Sequence, residues 1–73
     1  MNKANYYINR CYTLMNQIER QDFRYWESRP GQEERICDDI AACELKPDRE
    51  SIGRLMYRVN QLSSIIDTLE ERK

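Results

Sequence analysis

Aliphatic side chains at Ile52, Leu55, Val59, Leu62, Ile66 and Leu69 recur at alternating spacings of three and four. That period places them on one stripe of a long helix, a stripe that must be buried against another surface. Ala4, Tyr7, Ile8, Cys11, Leu14, Met15 and Ile18 repeat the period earlier in the chain, with Asn, Arg, Thr and Gln opposite. A first amphipathic helix is therefore expected near residues 3 to 27, although its stripe weakens at Gln21 and Asp22 before the dense cluster Phe23, Tyr25 and Trp26.

Ser28-Arg29-Pro30-Gly31 marks a chain reversal, because proline disfavours helix in the residue before it and glycine tolerates positive φ. Beyond it, Ile36, Cys37, Ile40, Ala41 and Cys43 predict a shorter helix near 32 to 45, with Glu33 and Glu34 favourable to the dipole at its start. Lys46-Pro47-Asp48 ends that helix and opens a third, expected near 48 to 71, with Asp48 and Glu50 giving negative charge to its first turn. Gly53 inside this helix costs about 1 kcal/mol relative to alanine. It marks either a close approach of a neighbour or simple tolerance. The expected fold is all-α, a small three-helix domain spanning 1 to 73 in which two long amphipathic helices flank a short one. Helices of about 24 residues reach ~36 Å, so either their ends protrude to meet a partner or the chain dimerises through the Ile52 to Leu69 stripe.

With 73 residues the chain makes one domain at most. A core of that size rarely supplies more than about 3–5 kcal/mol of net stability. The net charge of −1 is unevenly spread: residues 33 to 44 carry Glu33, Glu34, Asp38, Asp39 and Glu44 against Arg35 alone. This stretch reads as a solvated face or, less directly, as an imitation of a nucleic-acid backbone. A chain without a basic face is poorly suited to duplex nucleic acid, so direct DNA binding is not expected. Nine of the twelve basic residues are arginine, the residue suited to planar, partly desolvated contacts with carboxylates and aromatic rings.

Three cysteines, no signal peptide and no apolar run near the ~20 residues needed to cross a bilayer point to a reducing cytoplasm and no membrane association. Without histidine, Cys37 and Cys43 lack further ligands at usual zinc spacing, and Cys11, Cys37 and Cys43 read as small apolar core residues. No metal, cofactor or small-molecule substrate is expected. Nor is catalysis: the chain lacks histidine as a neutral-pH base, a phosphate loop and the hydrolase and metalloprotease motifs. Adjacent acids such as Asp38 and Asp39 diverge around a helix rather than converge.

Phe23-Arg24-Tyr25-Trp26-Glu27-Ser28-Arg29 is the candidate binding site. Tyr, Trp and Arg are enriched at interface hot spots, and Phe23, Arg24, Tyr25, Trp26 and Arg29 are the proposed partner-binding residues. Four large side chains in succession cannot share one stripe, so some point outward; the competing arrangement has Phe23 and Trp26 capping the core with Arg24 and Tyr25 on the surface. A second group, Arg54, Tyr57 and Arg58, lies on one side of the third helix. It either receives an acidic segment of another protein or forms intrahelical pairs with Glu50.

In size, helical layout and arginine-aromatic surface the chain resembles the small phage-encoded regulators that bind a bacterial host's RNA polymerase. That resemblance implies polymerase binding, inhibition of host promoter use and suppression of transcription termination, within the host cytoplasm. The class shares no common signature, so no functional residue is carried over from it. The alternative from another class is a secretion-type chaperone or assembly subunit using Ile52 to Leu69 to cover an apolar helix of its partner. A small helix-turn-helix repressor is disfavoured by the acidic second helix.

Overall fold

In the computed structural model, which describes residues 3–72, the chain forms α1 (Lys3–Gln21), α2 (Gln32–Leu45) and α3 (Arg49–Glu71), and the described residues contain no strand. The expected all-α layout holds, with the shortest helix in the middle. Residues 1, 2 and 73 of the expected domain lie outside the described residues. The two long helices pack along each other, and α2 lies chiefly against α3.

Helical periodicity places the core. Ile8, Cys11, Leu14, Met15 and Ile18 of α1 meet Ile36, Ile40 and Cys43 of α2 and Leu55, Leu62 and Ile66 of α3, all of them buried. Tyr7, Trp26, Ile52, Val59, Ile65 and Leu69 are partly buried against this cluster. Of the Ile52 to Leu69 stripe, Leu55, Leu62 and Ile66 are thus buried within the chain itself, while Ile52, Val59 and Leu69 are partly buried. Cys37 and Ala41, expected on the inner side of α2, are exposed instead. Both lie off the inward positions Ile36, Ile40 and Cys43, which follow the period of four and three.

α1 ends six residues earlier than its expected limit of 27. From Ile18 the next inward positions are Gln21, the last residue of the helix, and Asp22, so a longer helix would add a carboxylate to the polar group already turned inward. Asp22 instead folds into a turn: its carboxylate accepts from the Arg24 N–H at 3.2 Å and its carbonyl accepts from the Tyr25 N–H at 3.0 Å. Such local acceptors compete with the helical ladder. Gln21 retains a cost of its position, since its Oε1 is buried with no hydrogen-bond partner among the described residues.

Gly31 has a φ of 86°, the left-handed conformation that glycine adopts without a Cβ penalty, and from there the chain enters α2. At the other end, the Lys46 N–H donates back to the Ala42 carbonyl at 3.0 Å. Asp48 then caps α3: its Oδ1 accepts from the Ser51 N–H at 2.9 Å while its own N–H donates to Ser51 Oγ at 3.1 Å. The Ser51 hydroxyl also donates to the Lys46 carbonyl at 2.8 Å, so this buried polar side chain ties the connection to the helix it opens. The Ser51 backbone N–H is the leading cause that holds the Asp48 carboxyl below the usual carboxylate range. Gly53 sits on the exposed side of α3 with nothing within 4 Å of where a Cβ would stand, so tolerance rather than a close approach accounts for it.

Candidate protein-docking site

The segment from Asp22 to Gly31 divides its side chains between the core and the solvent. Tyr25 is only 6% exposed and joins the core, contrary to its expected place on the docking surface. The turn at Asp22 makes this possible by redirecting the chain before the apolar cluster begins. Trp26 is half-buried and meets Tyr25 edge to face, with ring centroids 4.9 Å apart at 87°. Edge-to-face contact of this kind adds a specific attraction to the area that the two rings bury.

Arg29 closes over the outside of Tyr25. Its guanidinium carbon is 3.8 Å from the ring centroid, and its Nη1 donates to Ser28 Oγ at 2.8 Å and to the Tyr25 carbonyl at 3.4 Å. Ser28 Oγ itself donates to the Tyr25 carbonyl at 2.8 Å. The arginine is therefore held in one orientation by a ring and two acceptors while remaining exposed.

Phe23 points the other way and is 72% exposed, with the Arg24 guanidinium 5.5 Å from its ring centroid. The five candidate residues thus form two groups. Phe23, Arg24 and Arg29 face solvent, and Tyr25 and Trp26 are the brace that fixes the turn to the helices. Phe23, Arg24 and Arg29 thus lie outward as docking residues must, whereas Tyr25 and Trp26 do not.

Arg54 and Arg58 of α3 are paired rather than open. Arg54 Nη2 contacts Glu50 Oε1 at 2.8 Å, the expected intrahelical pair. Arg58 instead crosses to α2, donating from Nε to Asp39 Oδ2 at 2.7 Å and from Nη1 to Gln61 Oε1 at 3.0 Å. Asp39 is consequently not part of a wholly solvated acidic face. It adjoins Ile36, Ile40 and Cys43 at helical spacing, so its carboxylate stands at the edge of the packed surface, where a cation from the facing helix neutralises it. Tyr57, the remaining member of this group, is 64% exposed.

The cysteines divide as well. Cys11 and Cys43 are buried, and Cys11 Sγ lies 3.9 Å from the Leu55 carbonyl oxygen. Burial pushes the Cys11 thiol up to about 11. Exposed Cys37 is also raised above the ordinary thiol range, first by desolvation and then by Glu33, Asp38 and Glu34 on the same helix. An accessible thiol whose thiolate is disfavoured is a weak nucleophile. Among the described residues, no three histidine, cysteine or acidic side chains are grouped so as to hold a metal ion, and no helix is long and apolar enough to cross a membrane.

What this arrangement offers chemically is contact: an exposed aromatic ring, the arginine over it and a second, hydrogen-bonded arginine on a turn anchored at its base. The chain matches no family model, no curated protein and no solved structure.

Proposed function

We propose that this protein is a small non-enzymatic regulator that docks on a protein partner through Phe23, Arg24 and Arg29, and that the partner is bacterial RNA polymerase. One observation carries the docking surface. Phe23 is left 72% exposed beneath the Arg24 guanidinium, on a turn whose neighbouring aromatics are packed inward. An aromatic ring displayed on an anchored turn offers a partner apolar area that the fold leaves uncovered, and aromatic-arginine groups of this kind supply the anchors of protein interfaces. The choice of polymerase follows from the resemblance in size, helical layout and arginine-aromatic surface. With it comes the expected outcome, inhibition of host promoter use and suppression of termination in the bacterial cytoplasm.

The test is binding of the purified protein to immobilised bacterial RNA polymerase at low salt, with the wild type compared with the double variant Phe23→Ala, Arg24→Ala. Hot-spot truncations of this type cost about 2 kcal/mol or more. The variant is expected to bind at least tenfold more weakly while its helicity and melting temperature match the wild type. Absence of wild-type binding removes the polymerase; equal binding by the variant removes this surface.

A further inference from the structure

Beside the braced turn, Arg29, Arg35 and Arg58 line one notch of about 290 Å³ together with Pro30, Gln32 and Gln61. The geometry points to this notch as a receptor for side-chain carboxylates of an acidic segment in the partner, an inference that rests on the reading above that this side of the molecule meets a protein.

Three guanidiniums from three different elements converge here, and each is held in place by the chain. Arg29 is fixed by the Tyr25 ring and by Ser28 Oγ. Arg35 Nε donates to the Gly31 carbonyl at 3.2 Å, across the glycine whose positive φ starts α2. Arg58 is held by Asp39 and Gln61. Within the described residues Arg58 has its carboxylate partner, whereas Arg29 and Arg35 form no ion pair. Arg35 engages only its Nε, and Arg29 only its Nη1, in the hydrogen bonds to the chain. The remaining N–H donors of these two forks are free to take up oxygen pairs.

Planar forks of this kind match carboxylates in bidentate geometry. Gln32, the first residue of α2, also lines the notch. Charge around the notch favours a protein carboxylate over a nucleic-acid strand. Glu27, Glu33, Glu34 and Asp38 are exposed on the turn and on α2, and an extended phosphate backbone leaving the notch would run past this acidic surface. One or two carboxylates entering singly avoid it.

The experiment titrates the intact protein with a fluorescently labelled glycine-serine peptide carrying two glutamates, with the same peptide carrying two glutamines in their place and with a single-stranded oligothymidylate, at equal low salt. Binding is read by anisotropy, and the Nε–Hε cross-peaks of the three arginines are followed by NMR. The glutamate peptide should bind and shift all three cross-peaks, the glutamine peptide should not bind, and Arg35→Gln should weaken binding by about tenfold. Arg20→Gln on α1, outside the lining of the notch, should bind as the wild type does. Failure of the glutamate peptide to bind, unshifted cross-peaks in the wild type, equal affinity in Arg35→Gln, or tighter binding of oligothymidylate overturns the proposal. If polymerase binding persists while glutamate-peptide binding is absent, the notch alone is wrong. If the glutamate peptide binds the notch but polymerase does not bind, the notch stands as a carboxylate receptor and the choice of polymerase fails.

Discussion

The guanidinium of Arg29 lies 3.8 Å from the centroid of the Tyr25 ring, an exposed cation resting on a core residue. The two residues are four apart and make one structural unit with opposite roles. Tyr25 anchors the turn, and Arg29 displays charge on it.

Their substitutions should therefore separate. Tyr25→Ala removes a buried aromatic side chain and should cost about 3–5 kcal/mol, comparable to the whole net stability of a domain of this size. Thermal melting followed by circular dichroism should show a largely unfolded population. Arg29→Gln keeps the core filled and should lower the melting temperature by no more than a few degrees. Any surface test that includes Tyr25→Ala is thus a test of folding, which is why Phe23 and Arg24 are the informative positions.

The Arg58 to Asp39 pair joins α3 to α2 with both side chains about one-fifth exposed, at 18% and 21%. Asp39→Ala leaves a half-buried arginine without its carboxylate and should destabilise by about 1–3 kcal/mol. In a double-mutant cycle with Arg58→Ala, urea unfolding should give a favourable coupling energy of about 1 kcal/mol. A coupling indistinguishable from zero would make the pair incidental.

Gly53→Ala should stabilise the protein by up to about 1 kcal/mol, because the added methyl meets nothing and alanine is the better helix former. A raised urea midpoint with an unchanged slope checks this; a fall would show that α3 needs the glycine.

Native thiol labelling should modify Cys37 alone, and slowly, with Cys11 and Cys43 reacting only on unfolding. The raised Cys11 thiol also sets an alkaline limit. Its folded value of about 11 lies above the ordinary 9.0, so the unfolded chain loses this proton first. The stability contributed by the neutral thiol is complete below pH 9 and is lost as pH rises towards 11, by about 2–3 kcal/mol. Chemical denaturation at successive pH values should show that decline, and Cys11→Ala should show a shallower one from a lower starting point.

Much of this architecture is legible in the residue order because periodicity and punctuation agree. The stripe from Ile52 to Leu69, the Pro30-Gly31 reversal and the Pro47-Asp48 start each report one local physical cause. The end of α1 is less legible because it depends on a competition: the spacing that makes Gln21 and Asp22 inward positions favours stopping, while the aromatic residues that follow imitate a continuing stripe. Which aromatics turn inward is decided by the turn at Asp22, a three-dimensional event that residue type alone does not encode. The same limit applies to Asp39, Ser51 and Arg35. Their partners Arg58, Lys46 and Gly31 are fixed by helix packing and turn geometry rather than by composition, so the acidic stretch reads as more uniformly solvated than it is.

The central claim is that the exposed edge of the turn, led by Phe23, touches bacterial RNA polymerase. It is tested most directly by placing a photo-crosslinking amino acid at position 23 and, in a separate protein, at position 13 on the exposed face of α1, then irradiating each with purified polymerase. The account predicts a covalent adduct between a polymerase subunit and the position 23 protein, lost on competition with unlabelled wild type, and none from position 13. Equal crosslinking from both positions, or none from position 23 under conditions where binding is saturated, would contradict it.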